Sequence, residues 1–253
     1  MNRITLFALC LLCLSGCAPS QSYIAKIQKI RDAQLPKVEK QMAQAHFELG
    51  APLYLRIFKQ ENVLEAWIRD PNTGVYNLFK SYPICSFSGY LGPKLREGDK
   101  QSPEGFYEIT EDSLWPGSQH HLAMNIGFPN EYDAQHGRTG SYLMIHGGCK
   151  SDGCYAMTNK SIEEIYVLTE QALLRGSPSV PVHIFPFRMT HQNMTAYMNT
   201  PWTPFWLNLK QGYDLFERNY TPPTVRVRGG RYVFMDYYYT NASAEAENTK
   251  PRS

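Results

Sequence analysis

His146 and Cys154 stand eight residues apart around a glycine-rich loop, in the segment running from Tyr142 to Thr158. The reactive form of a cysteine is its thiolate, so a nucleophilic cysteine needs an imidazole or another base within reach. His146 meets that need if the loop folds back. Gly153 permits close approach of the main chain to a substrate. The amides of Gly153 and Cys154 are then candidates to face a developing oxyanion. On chemistry alone other readings compete. Cys154 can be a small buried residue, and His146 a structural histidine at a strand end. A zinc set of Cys149, Cys154 and His146 is the third. The Cys-x4-Cys spacing is loose for zinc and no fourth ligand with zinc spacing lies nearby, so no metal is expected.

The elements that must position this pair are mostly short strands. Ser141 to Ile145 reads as the strand that delivers His146. Leu53 to Phe58, Val63 to Ile68 and Val75 to Tyr82 read as strands, and turn residues around Asp70-Pro71-Asn72-Thr73-Gly74 separate the last two. They predict an antiparallel meander. Gly105 to Thr110 and Val180 to Phe185 are further strands, with a loop-rich stretch over Gly89 to Pro103. Pro103-Glu104-Gly105 reads as a strand-entry turn, and Lys94, Arg96 and Lys100 as a solvated basic loop. Ile24, Ile27 and Ile30 recur at helical spacing, and Pro36 suits the first turn of a second helix ending near Leu49. Asn159 or Ser161 can cap a helix over Ile162 to Leu174. One or two short helices broken near Pro201 and Pro204 fall between Met194 and Tyr213. Val225 to Phe234 reads as a hairpin turning at Gly229-Gly230.

The N-terminus reads as an export signal. Arg3 precedes an apolar run from Ile4 to Leu14, too short to span a bilayer. The run ends in Leu14-Ser15-Gly16-Cys17, which resembles the bacterial lipobox, so Cys17 is expected to carry lipid. Ala18 then favours the outer membrane, on its periplasmic side. Of 6 cysteines, three remain after the signal and anchor: Cys85, Cys149 and Cys154. In an oxidising compartment an odd count allows one disulfide and one free thiol. Cys85 with Cys149 is the pairing that frees Cys154, and two buried thiols are the alternative. The net charge of +2 gives no argument for nucleic acid.

Ile145-His146-Gly147 followed by Ser151-Asp152-Gly153-Cys154 resembles the motif of the L,D-transpeptidase catalytic (YkuD-type) family. That motif is an Ile-His-Gly strand end followed by Ser-His-Gly-Cys. Two departures stand out: the connecting loop is shorter, and Asp152 replaces the family's second histidine. The short version is similar to the YafK (DpaA-type) subgroup. That likeness extends to Gly92-Pro93-Lys94, Ser102-Pro103-Glu104-Gly105-Phe106-Tyr107, Asn125-Ile126-Gly127-Phe128-Pro129-Asn130 and Pro186-Phe187-Arg188-Met189-Thr190.

The resemblance implies a mostly β catalytic domain with accessory helices, of the α+β class. It implies a Cys154 thioester at the L-centre carbonyl of meso-diaminopimelate in peptidoglycan stem peptides, with no cofactor. His146 would activate the thiol, the Gly147 carbonyl would orient the imidazole, and Ser151 would shape the loop. Hydrolysis that frees murein-bound lipoprotein is the outcome the subgroup favours. A true transpeptidase, or a non-catalytic wall-binding lipoprotein, is the alternative. The expected organisation is a signal over 1–16, an anchored helical segment over 17–50 and a catalytic domain over 51–190. A helical and hairpin extension over 191–236 and a disordered tail over 237–253 follow.

Overall fold

The computed structural model describes residues 21–235. The signal, Cys17 and the tail from 237 lie outside the described residues. The twelve strands are β1 (Leu53–Phe58), β2 (Val63–Arg69), β3 (Tyr76–Pro83), β4 (Ser86–Phe87), β5 (Gly105–Ile109), β6 (Leu114–Trp115), β7 (Ala123–Asn125), β8 (Met144–His146), β9 (Tyr155–Ala156), β10 (Val180–Phe185), β11 (Thr224–Arg228) and β12 (Arg231–Met235). The five α-helices are α1 (Gln21–Gln44), α2 (Glu131–Gln135), α3 (Asn159–Leu174), α4 (His191–Ala196) and α5 (Thr203–Asn219). Mixed sheets and helices make this an α+β fold.

One sheet has the order β3-β2-β1-β10-β5 and a second the order β4-β9-β8-β7-β6. The β1–β2–β3 meander is antiparallel, while β1 and β10 run parallel. β1 is buried on both faces, because each face meets a different core. Leu55 and Ile57 join Val182, Ile184 and the α3 residues Ile165 and Leu168 in the larger core, to which Met124 and Ile145 of the second sheet also belong. Phe58 joins Phe106, Phe185, Trp206 and Tyr213 in an aromatic core under α5 and the β11–β12 hairpin. Arg56 lies within the second layer, its guanidinium 4.6 Å from the Phe216 ring centre and 5.0 Å from that of Tyr213.

Three expectations need correction. α1 runs unbroken through Pro36 instead of dividing there. Proline removes the hydrogen bond to the carbonyl four residues back, and both Asp32 and Pro36 are exposed, so water can take that carbonyl. The strand that delivers the histidine is shorter than the apolar run suggests, since Tyr142 has φ +55° and breaks the extended backbone. Thr158 caps α3 by accepting the Ser161 N–H, which leaves Asn159 for another task.

The strand-entry turn is also more than a turn. Lys59 and Glu104 form an ion pair of 3.1 Å with both side chains fully buried. Lys59 Nζ donates to the carbonyls of Tyr90, Gly92 and Ser102. Glu104 accepts from the Gly92 amide and from Trp206 Nε1–H. Burial pulls the Lys59 pKa down against the attraction of Glu104. Removing one member of a buried, hydrogen-bonded pair strands the other charge. Glu104→Gln is therefore expected to lower unfolding stability by about 3–5 kcal/mol. Chemical denaturation of the variant beside the parent checks this, and an unchanged midpoint would remove the pair from its structural role.

Candidate active site

β8 and β9 are parallel neighbours, with Ile145 opposite Tyr155 and His146 opposite Ala156. The connection between them is only residues 147–154, whereas most parallel strands need a crossover of a dozen residues or more. This register sets Cys154 beside Met144. Cys154 Sγ accepts the Met144 N–H at 3.4 Å, and the Tyr142 carbonyl lies 3.6 Å from the same sulfur. Met144 and His146, two residues apart on one strand, project to the same side. Both line a cleft of about 390 Å³ together with Cys154, Trp115, His120 and Tyr142.

The imidazole is fixed from behind. His146 Nδ1 lies 2.6 Å from the Gly147 carbonyl oxygen, to which it donates as N–H, leaving the Nε2 lone pair for the cleft. A side chain at Gly147 would crowd its surroundings: a Cβ there would stand 2.7 Å from Asn159 Oδ1 and 3.0 Å from the His120 carbonyl. Asn159 Oδ1 accepts the Gly148 amide. The first residue of α3 thus holds the turn that presents His146.

The nucleophile loop is held by hydroxyls. Ser151 Oγ and Ser102 Oγ donate to the Cys154 carbonyl at 2.7 Å and 2.9 Å, so Ser151 shapes the loop. The Gly153 amide donates to Ser88 Oγ. The Gly153 N–H, one of the two candidate oxyanion donors, thus already has a partner within the protein. Cys85 and Cys149 form a disulfide that closes a separation of 64 residues, tying the loop to the strand pair β4–β9. A closure of this length stabilises by about 4 kcal/mol in the chain-entropy account. It also removes Cys149 from any zinc set and leaves Cys154 as the free thiol among the described residues.

Electrostatics favours the uncharged pair at rest. Burial raises the Cys154 pKa, opposed by the Met144 amide and reinforced by Asp152. Burial lowers the His146 pKa, opposed by the Gly147 carbonyl and reinforced by His120. A neutral imidazole beside a neutral thiol can take the thiol proton as the sulfur attacks.

The basic loop is not uniformly solvated. Lys94 is buried and paired with Asp99 at 2.5 Å, which fixes the segment preceding β5. Lys100 stays exposed and lies 3.7 Å from Asp152, so the residue replacing the family's second histidine points into solvent. Two cleft features escaped the sequence reading. His120 lies against His146 with ring centres 4.6 Å apart and planes tilted by 34°. Trp115 and Tyr142 meet edge to face at 5.9 Å on the rim. No spacing rule joins residues 120 and 146, and only the pairing of Ala123 with His146 on β7 and β8 brings them together.

Comparison with known proteins gives this geometry a family. The L,D-transpeptidase catalytic domain (YkuD) matches residues 67–184. The YafK protein of Escherichia coli strain K12, named by inference as an L,D-transpeptidase, is 51% identical over 185 residues, 73% of this chain and 74% of its own. The same protein from Escherichia coli O157:H7 matches equally. Two crystal structures of the helical cell shape determining protein Pgp2 from Campylobacter jejuni are more distant. They share 22% and 18% identity, each with a TM-score of 0.44, over 65% and 91% of this chain. The chain spans 59% of the first of these structures and 79% of the second. With half its aligned residues shared with YafK along nearly three quarters of its length, the chain belongs to the L,D-transpeptidase catalytic-domain family and is a cysteine enzyme of that family.

Proposed function

We propose that this enzyme acts on peptidoglycan stem peptides and hydrolyses the amide that joins the L-centre carbonyl of meso-diaminopimelate to a lipoprotein lysine. The observation that carries the reading is the placement of Cys154 Sγ and the imidazole of His146, its Nδ1 held by Gly147, on one open cleft. In the first half-reaction Sγ attacks the carbonyl carbon and its proton passes to His146 Nε2. The S–C bond forms, the C–N bond breaks, and the proton leaves with the lysine amine. With Gly153 engaged, the Cys154 amide is the remaining member of the suggested oxyanion pair. In the second half-reaction water adds to the thioester, His146 again takes the proton, and the thiol returns with a free carboxylate.

Water as the acceptor is supported by the short His146-to-Cys154 loop, which resembles that of the YafK (DpaA-type) subgroup, and by the cleft lining. An amine acceptor arrives as an ammonium group and must be held near the thioester at high effective concentration. Among the described residues, no carboxylate lines the cleft to hold it. A transpeptidase that transfers the same acyl group to an amine is the second reading, favoured by the family's name alone. We further propose that Cys17 carries lipid and anchors the enzyme to the outer membrane, facing the periplasm. The support is the Leu14-Ser15-Gly16-Cys17 string after an apolar run.

Sacculi bearing covalently attached lipoprotein are expected to release it on incubation with the mature enzyme, leaving free diaminopimelate ends. Cys154→Ala and His146→Ala should each lower this release at least about 10³-fold, because the two groups act as a unit. New 3-3 cross-links with lipoprotein still bound would make the enzyme a transpeptidase instead.

The pH dependence follows from the neutral pair. The acidic limb of kcat/KM reports His146 and is expected below the ordinary imidazole value of 6.5. The alkaline limb reports Cys154 and is expected above the ordinary thiol value of 9.0. His120→Phe keeps a ring against His146 and removes a charge that depresses its pKa, so the acidic limb should move to higher pH. A pH–rate profile identical to the parent's would separate His120 from the chemistry.

Cys17→Ser protein is expected in the soluble fraction of lysed cells. Its retention in membranes after a high-salt wash would place the anchor elsewhere.

A further inference from the structure

Outside residues 67–184, α5 and the β11–β12 hairpin border an open cavity of about 560 Å³ that shares no lining residue with the Cys154 cleft. Three exposed arginines line it: Arg218 from α5, and Arg228 and Arg231 from the two strands beside the hairpin turn. None of the three is in an ion pair among the described residues. The acid on the lining, Asp214, has both carboxylate oxygens 2.6 Å from Lys210 Nζ and is already neutralised.

The hairpin carries these charges at a cost to its own pairing. Arg228 and Arg231 are directly opposite across the ribbon, where like charges weaken the pair. Arg226 adds a third cation on the same exposed face. Folding does not need them there. The opposite face, with Val225, Val227, Tyr232 and Phe234, packs on the aromatic core, and Tyr232 is hydrogen-bonded to Asn208 through its amide and carbonyl. Unpaired guanidinium groups gathered on one cavity match a planar anion, which each can grip with two parallel N–H bonds.

We propose that this cavity is a docking site for the free carboxylates of peptidoglycan stem peptides, holding the wall while a separate stem occupies the Cys154 cleft. The proposal rests on the peptidoglycan reading above. Stem peptides repeat along the polymer and carry carboxylates on every unit, so a site weak for one stem gains hold through repetition.

The test measures retention by insoluble sacculi of the mature chain carrying Cys154→Ala, so that binding is read without turnover. Arg218→Gln, Arg228→Gln and Arg231→Gln together are expected to weaken retention by about tenfold or more, with the loss shrinking as salt is raised. Lys29→Gln, Lys37→Gln and Lys40→Gln, an equal charge change on exposed positions of α1, should leave it unchanged. Sacculi whose carboxylates are capped as amides should retain the chain with unaltered arginines as poorly as native sacculi retain the triple arginine variant. That arm needs no arginine substitution and stands whether or not the variant folds. Equal retention of the arginine variant, an equal loss in the lysine control, or full retention on capped sacculi would overturn the proposal. So would capture by phosphatidylglycerol vesicles in preference to sacculi, which would assign the arginines to a lipid surface. Because nothing turns over, a failure here is distinct from a wrong choice between water and amine as the acyl acceptor.

Discussion

Lys59 and Glu104 hold opposite charges where no water reaches them, and the nucleophile depends on the result. Isolated charges in such a place are strongly disfavoured, so each must be surrounded by partners. Lys59 satisfies its ammonium with Glu104 and three backbone carbonyls, and one of these belongs to Ser102. The Ser102 hydroxyl in turn holds the Cys154 carbonyl. Glu104 reaches the other way, through Gly92 to the loop before β5 and through Trp206 to α5. A single ion pair therefore fixes the end of β1, the 88–104 loop, the aromatic core and the backbone of the reactive cysteine. An apolar pair of the same volume could fill the space, but it could not orient five separate polar groups.

The second constraint is the short parallel crossover. Eight residues are too few to carry a helix from β8 back to β9, so the loop must be stabilised piece by piece. The disulfide from Cys149 anchors its outward limb, Asn159 anchors Gly148, and the serines at 88, 102 and 151 anchor its return. With so many bonds inside the loop, the Gly153 amide is drawn into the scaffold. The strand register then sets the thiol beside Met144, two residues from His146 along the neighbouring strand.

Much of this was legible in residue patterns. Strand-like runs of apolar and aromatic residues between turn clusters located β1, β2, β3, β5 and β10. The His146–Cys154 spacing picked out two groups that the structure brings to one cleft, since chemistry restricts which residue types can serve. What escaped the sequence was set by contacts far apart in the chain. His120 meets His146 only through the β7–β8 pairing. Ser88 captures Gly153 across 65 positions. Glu104 looks like a turn residue until Lys59 is brought to it. Pro36 misled for the opposite reason. Its local rule holds only if the lost hydrogen bond matters, and on an exposed helix face it does not.

The neutral resting state of Cys154 also resolves a conflict built into the loop. Cys149 lies five positions before the nucleophile and is joined to Cys85. A thiolate attacks disulfides, and the rate follows the fraction of sulfur that is ionised. Permanent activation of Cys154 by a cation would set a strong nucleophile on the same short loop as the bond that holds it. Burial keeps the sulfur protonated until a substrate carbonyl enters and His146 can take the proton during attack. The lowered basicity of His146 serves the same end, since an imidazolium would pull the thiol towards ionisation. Both shifts keep the thiolate fraction low at rest, which protects the disulfide from exchange and the thiol from oxidation. Reactivity is thus conditional on the substrate and on the geometry of the Gly147 carbonyl, which holds the imidazole ready in one tautomer.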